Sequence, residues 1–252
     1  MEQPSIYPFG LRIDQPVTTL TDLIVAIVCF YAFFKLTDYH VDHRIYILAR
    51  AYFLFMGIAT FIGAIVGHGF LYALSPSWKI LGWGFGMIAI NVMERVMINY
   101  SKPLMSHKVA NFFSKFNIVE LFVFAGLAYG NLVFEWFDID SFRFVEIHSG
   151  YGLIVFVMGF GMFNHLKRRE DDDSDILMFI WAVGATTIAS PFFMSKVGIH
   201  KWYNHVDISH TLMALAAYLF YIGFTKILTR IKNGKLDIDS EWADMGQIKS
   251  EL

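Results

Sequence analysis

Apolar residues run along the chain in seven long stretches that are separated by short polar segments. The stretches lie at about residues 17–36, 46–74, 78–100, 114–136, 144–166, 174–196 and 205–231. With a rise of 1.5 Å per residue, a helix of this length crosses a hydrocarbon core of roughly 30 Å. The pattern therefore predicts an all-α polytopic membrane protein, a bundle of seven transmembrane helices.

Lysine and arginine are distributed unevenly between the alternate segments that connect these stretches. One set of segments holds fourteen of these residues and the other holds five, while Arg95 lies within the third stretch. Because basic residues accumulate in cytoplasmic loops, the richer set is assigned to the cytoplasm. Residues 1–16 then form an extracytoplasmic N-terminal segment, residues 17–231 the transmembrane domain, and residues 232–252 a polar cytoplasmic tail.

The composition is consistent with lipid as the solvent. Hydrophobic residues make up 56% of the chain and charged residues 17%, whereas soluble domains carry about 25% charged residues. The net charge of −2 argues against nucleic acid as a partner. We expect membrane lipids as partners, together with another membrane protein or a second copy of the chain. A bacterial inner membrane is the default location, and a eukaryotic endomembrane is the alternative.

Several ionisable residues fall within the apolar stretches, where burial is costly and functional sites are the usual reason for it. His68, His148 and His210 lie roughly 6–10 Å inside the outer ends of three predicted helices, as judged from the rise per residue, and Asp22 and Asp207 lie at a similar depth. Catalytic zinc takes three protein ligands, commonly imidazole and carboxylate, and keeps one position for water. This layer predicts a zinc site formed by His68, His148, His210 and Asp207.

The two carboxylates of this layer are the candidates for catalytic work. A zinc-bound water has a pKa of about 7 and can attack an amide or ester carbonyl. Asp207, Asp22 or the nearby Glu146 would act as a ligand, as a partner that orients a histidine, or as the general base. Asp207 is three positions from His210, so both can serve one site. The alternatives are a first-turn Asp207 that stabilises the helix N-terminus and histidines that serve packing alone.

A second polar layer lies towards the cytoplasmic side of the predicted bundle. It contains Glu94 and Arg95 in the third stretch and Lys115 and Glu120 in the fourth. We expect one of the glutamates to form an interhelical ion pair with Arg95 or Lys115. The functional alternative is a route for protons or substrate.

Two short segments resemble a known family. They are Val66-Gly67-His68-Gly69-Phe70 and the segment from Trp202 to Leu219, which contains Asn204-His205-Val206-Asp207-Ile208-Ser209-His210. They resemble the second and last helices of the CREST superfamily, seven-helix membrane proteins that include alkaline ceramidases and progestin and adipoQ receptors. They also resemble a set of uncharacterised bacterial membrane proteins with an Asn-His-x-Asp-x-x-His helix. The resemblance implies that His68 and His210 bind zinc.

The chain differs from those hydrolases at three motif positions, one of which is an aspartate early in the third helix, where this chain has Ser75, Trp78 and Lys79. Val206 stands where the last helix would carry another histidine, and Ala64 stands where the second helix would carry a serine. We expect His148 or Asp207 to supply the missing ligand, and the alternative is a bundle without a metal.

The leading hypothesis is thus a zinc-dependent intramembrane hydrolase of a lipid amide or ester. One alternative is a non-catalytic receptor, a lipid-binding protein or a structural subunit of a membrane complex. A further alternative is an electron-transfer protein that binds haem through paired histidines.

Overall fold

The computed structural model describes residues 3–168, 174–236 and 238. Within these ranges it contains seven helices that are long and apolar enough to cross a membrane, so the predicted all-α seven-helix bundle is confirmed. Membrane insertion and the outward N-terminus stay predictions, and most of the predicted tail, residues 237 and 239–252, lies outside the described residues. The helices are α1 (Pro16–Tyr39), α2 (Arg44–Gly69), α3 (Lys79–Leu104), α4 (His107–Phe134), α5 (Phe142–Lys167), α6 (Ser174–Ser195) and α7 (His205–Lys232).

Helix α4 begins seven residues earlier than the predicted start at 114, which was too late. Ser106 is extended and its Oγ accepts a hydrogen bond from the N–H of Val109 at 3.4 Å, which caps the helix at His107. The polar residues around the predicted start belong to the helix, and the Asn117 side chain is buried against α3. Glu120 consequently lies 13 positions into α4, near its middle.

The helices form two groups, α1 with α2 and α7, and α3 with α4 and α5, and α6 contacts both groups. Helix α1 packs on α2 and α7, α7 packs on α6, and α2 packs on α3; α3 in turn carries α4 and α5, and α5 also contacts α6. Buried aromatic rings fill the space among α2, α6 and α7, with edge-to-face contacts between Phe53 and Phe224 and between Phe179 and Phe224. Side chains of α1, α2 and α7 can therefore meet, as can those of α3, α4 and α5.

Two helices depart from regular α geometry next to an acidic side chain. Gly63–Gly69 at the end of α2 and Gly152–Gly159 within α5 are π-helical, a conformation that recurs at functional sites. A Cβ atom on Gly63 would collide with Oδ2 of Asp22, and one on Gly152 would collide with Oε1 of Glu94. Each glycine thus admits a carboxylate from a neighbouring helix.

The N-terminal segment folds over the ends of α1 and α7. The Nε2 of Gln3 donates a hydrogen bond to Oδ2 of Asp207 at 2.6 Å, and its Oε1 accepts one from the N–H of Val17 at 3.0 Å. Gln3 is buried. The segment therefore joins two helices at the end of the bundle that holds the candidate site.

A polar turn fixes the end of this segment to α2. The N–H of Asp14 donates to the carbonyl oxygen of Gly69 at 2.9 Å. Burial alone would raise the pKa of Asp14, but hydrogen bonds from Ser5 and Arg12 outweigh that effect and lower the pKa. An ionised Asp14 thus holds the turn at neutral pH.

Candidate metal centre

Three ionisable side chains from three helices meet beneath the N-terminal segment. Asp22 of α1, His68 of α2 and His210 of α7 each offer one ligand atom, and these atoms lie within 4.8 Å of one another. Oδ1 of Asp22 is 3.5 Å from Nε2 of His210, and Oδ2 is 3.9 Å from Nε2 of His68. The side chains of Asp22, His68 and His210 are 6%, 19% and 12% exposed, so the group is nearly enclosed.

These separations fit ligands of one ion better than they fit hydrogen bonds. Hydrogen bonds between such atoms span about 2.7–3.2 Å. Tetrahedral zinc with bonds of about 2.0–2.2 Å places its ligand atoms roughly 3.3–3.6 Å apart. The 3.5 Å separation to Oδ1 already meets this geometry, whereas the 3.9 Å separation is to Oδ2, so the carboxylate must turn slightly to offer one oxygen to an ion that both histidines bind.

The second nitrogen of each imidazole is held by another polar group. Nδ1 of His68 lies 2.7 Å from Oε1 of Gln15, and because an amide oxygen only accepts, Nδ1 carries the hydrogen. Nδ1 of His210 lies 3.2 Å from Oγ1 of Thr21, whose own hydrogen goes to the carbonyl of Thr18. In their neutral form, both rings therefore direct an unprotonated Nε2 towards Asp22. Metal-binding histidines are usually oriented in this way.

Backbone strain accompanies this arrangement at Gln15. The residue has φ 43° and ψ 56°, the left-handed conformation that is costly for a residue with a Cβ. It directly precedes Pro16, the first residue of α1. Strain of this kind, about 1–3 kcal/mol, persists where surrounding contacts enforce it and clusters at functional sites. Here it places the Gln15 amide against His68.

The structure places Asp207 in a helix cap rather than in this group. Its Oδ2 accepts hydrogen bonds from the N–H of Asn204 and from Gln3, both at 2.6 Å. Oδ1 of Asn204 in return accepts from the N–H of Val206 at 2.8 Å and from the N–H of Asp207. This is a capping box, and it matches the alternative interpretation in which Asp207 stabilises the N-terminus of the last helix.

His148 is not brought together with His68 and His210. It lies on α5, which packs on α3, α4 and α6. Its Nδ1 is 2.7 Å from Oε1 of Glu120, and its Nε2 is 3.0 Å from the carbonyl oxygen of Met87. The expected ligand set thus divides, with two histidines at one group and the third at another.

The inner glutamates have partners other than the expected cations. Glu120 pairs with His148, and Oε2 of Glu94 accepts a hydrogen bond from Nδ2 of Asn117 at 2.8 Å. Among the described residues, neither glutamate forms the expected close ion pair with Arg95 or Lys115. Glu94, Glu120 and His148 form a second group whose ligand atoms lie within 4.8 Å of one another.

Sequence reasoning did not single out Gln15 or Thr21. Gln15 lies in a connecting segment, and its contact with His68 spans 53 positions in the chain. Thr21 contacts His210 across 189 positions. A polar residue one position before Asp22 was the single local signal for Thr21, and Gln15 had none.

Comparisons with known proteins give a family and no individual relative. No curated protein and no solved structure matches the chain. Residues 17–229 match a family of unknown function, DUF6962. The match extends from the start of α1 to the last turn of α7 and leaves out the N-terminal segment that covers the site. The chain therefore belongs to the DUF6962 family.

Proposed function

We propose that this chain is an integral membrane protein that holds zinc between Asp22, His68 and His210 and hydrolyses an amide or ester bond of a lipid there. The observation that carries the proposal is the pair of Nε2 atoms that face one carboxylate at 3.5 and 3.9 Å. Without a cation or extra protons, two nitrogen lone pairs would oppose a carboxylate in an enclosed site. Two histidines, one carboxylate and an open position form a ligand set of catalytic zinc.

The chain's own residues supply position and proton transfer in this reaction. A zinc ion held by Asp22, His68 and His210 would polarise a carbonyl and lower the pKa of a water to about 7. Gln15 and Thr21 fix the rings of His68 and His210 through their Nδ1 atoms. Asp22 accepts the proton of the attacking water and returns it to the leaving amine or alcohol. The water oxygen bonds to the carbonyl carbon, and the bond from that carbon to nitrogen or oxygen breaks.

Exposed apolar side chains on α1 and α2 support a lipid environment for the bundle, and those of α1 point away from Asp22 because residues two positions apart lie on nearly opposite sides of a helix. Leu20 and Ile24, two positions to either side of Asp22, are 55% and 44% exposed, and Phe61 of α2 is 48% exposed. Large exposed hydrophobic surface of this extent indicates contact with lipid.

The proposal is tested with the purified protein in detergent, by zinc content and by release of fatty acid from fluorescent N-acyl and O-acyl lipids in mixed micelles. We expect His68→Ala/His210→Ala to hold one zinc ion fewer per chain and to lose hydrolysis. The matched control is His205→Ala, which removes an imidazole from the first turn of the same helix α7. Equal zinc content and equal activity in both variants would end the proposal.

A zinc-dependent lipid receptor without hydrolysis is the second candidate. Asp22 is the one carboxylate in the group as the described residues show it, so the same side chain must bind the ion and transfer a proton. The motif position that carries serine in the resembling hydrolases holds the buried Ala64. Zinc that depends on His68 and His210, a lipid that copurifies, and no turnover of any lipid amide or ester would favour the receptor.

A further inference from the structure

A second cluster of ionisable residues lies among α3, α4 and α5. It is separate from the group of Asp22, His68 and His210, which is called the outer site below. Glu94, Glu120 and His148 are 0%, 5% and 0% exposed, so the cluster is closed to solvent. One ligand atom from each residue lies within 4.8 Å of the other two. Each residue comes from a different helix, in the manner of metal sites that facing helices of a bundle build in their core.

Two oxygen atoms of this cluster are buried without a hydrogen-bond partner among the described residues. They are Oε1 of Glu94 and Oε2 of Glu120. Buried polar atoms are nearly always paired, because an unpaired one forfeits its hydration without compensation. The two free oxygens therefore indicate a ligand between the carboxylates.

Charge balance identifies the class of that ligand. Two ionised carboxylates in an apolar bundle are strongly disfavoured unless positive charge accompanies them. One divalent cation with Glu94, Glu120 and a neutral His148 has zero net charge. Two protons balance the carboxylates equally, so a cation that enters must displace protons, as metal binding generally does.

The orientation of His148 is compatible with a metal ligand once a cation displaces the proton that it shares with Glu120. A carbonyl oxygen only accepts hydrogen bonds, so Nε2 of His148 carries a hydrogen and donates it to Met87. Nδ1 lies at a hydrogen-bond distance of 2.7 Å from Oε1 of Glu120, so a proton lies between them and a cation must displace it. Metal-binding histidines characteristically donate their other N–H to a backbone carbonyl. Asn117 orients the Glu94 carboxylate from outside in a similar way, by donating to its Oε2.

We propose that Glu94, Glu120 and His148 bind a divalent transition-metal ion, of the manganese or zinc type, that ties α4 to α3 and α5. Two carboxylates and one imidazole form an oxygen-rich set that suits these ions. Gly152 provides the space for the Glu94 carboxylate, since a Cβ there would overlap its Oε1. The site is internal, so its role is to hold the helices together.

The test begins from His68→Ala/His210→Ala protein, in which the outer site is removed. Mn²⁺ is supplied during expression and after purification, and bound metal is counted by electron paramagnetic resonance and elemental analysis after gel filtration. We expect one bound ion per chain. Adding Glu94→Gln/Glu120→Gln should weaken binding by more than about 100-fold, since removal of an outer partner alone costs about 10–100-fold.

The matched control removes two exposed carboxylates from the loop after α4, as Glu135→Gln/Asp138→Asn. It should bind Mn²⁺ as the starting protein does, and loss of the ion in this control would reveal an adventitious ion only. Starting protein that holds neither Mn²⁺ nor Zn²⁺ would overturn the proposal, whether or not the glutamine variant folds. Undiminished binding in a folded glutamine variant would overturn it as well.

Discussion

Replacing Gly63 with alanine changes the outer site without touching any proposed ligand. A Cβ atom at residue 63 would lie 2.6 Å from Oδ2 of Asp22. Carbon and oxygen atoms in contact are normally about 3.3–3.6 Å apart, so the carboxylate must move by about 0.7 Å or more. Metal ligands tolerate deviations of about 0.2 Å. Gly63→Ala should therefore displace Asp22 from the position in which it faces both histidines.

The expected loss is about 10–100-fold in zinc affinity, the range found when groups that orient metal ligands are removed. With zinc in large excess over its dissociation constant, a 100-fold loss lowers the zinc-dependent part of the unfolding free energy by about 2.7 kcal/mol. Without zinc, Gly63→Ala should lower the free energy of unfolding by less, because alanine stabilises a helix interior by about 0.5–1 kcal/mol relative to glycine and this gain offsets part of the collision with Asp22.

Competition with a chelator gives the affinity, and thermal unfolding with and without zinc gives the stability. The matched control is Gly67→Ala, in the same π-helical segment, where a Cβ meets no atom within 4 Å. Wild-type affinity in Gly67→Ala and weakened affinity in Gly63→Ala is the predicted outcome. Unchanged zinc affinity in Gly63→Ala would refute the assignment of Asp22 as a ligand.

Three further substitutions test the surroundings of the two clusters. Gln15→Ala should lower zinc affinity about tenfold or more. Gln15→Gly should lower it equally, but its free energy of unfolding should be about 1 kcal/mol higher than that of the alanine variant, because glycine accepts the positive φ. Equal free energies of unfolding in the two variants would contradict the strain at residue 15. Gly152→Ala should destabilise the fold by about 1–3 kcal/mol through overpacking, whereas Gly150→Ala, with open space at its Cβ, should not. Asp207→Ala should lower the free energy of unfolding by about 1 kcal/mol, because the helix loses a capping interaction, and thermal unfolding measures this loss. Zinc affinity, measured by chelator competition, should stay unchanged. Loss of zinc from this variant would mean that Asp207 is a ligand.

Hydrophobic patterning predicted the seven helices because each is one long apolar run between polar segments. Depth along each helix was also readable, since the rise per residue is fixed. Counting depth placed Asp22, His68 and His210 in one layer, and the structure brings these three together.

Depth alone does not state which helices are neighbours. His148 has nearly the same depth as the other two histidines, but its helix packs beside α3 and α4, so it meets Glu120 instead. The late predicted start of α4 contributed, because it placed Glu120 close to the cytoplasmic end. With the start at His107, Glu120 reaches the middle of the bundle, and the pairing with His148 becomes possible.

The contacts made by the connecting segments could not be predicted from the sequence. Gln3 and Gln15 are amides in an otherwise ordinary polar segment, and their partners, Asp207 and His68, are distant in the chain. Only the folded arrangement of α1, α2 and α7 gives these residues their roles. The positive φ of Gln15 is likewise a consequence of tertiary contact, because glutamine has no local preference for it.

X-ray absorption at the zinc edge of purified Glu94→Gln/Glu120→Gln protein tests the central claim most directly, because that variant retains the outer site alone. The account predicts zinc bound by two imidazoles and a carboxylate oxygen at about 2.0–2.2 Å, with the imidazole signal lost in the additional variant His68→Ala/His210→Ala. Protein without zinc, or zinc whose spectrum shows no imidazole, would contradict the claim.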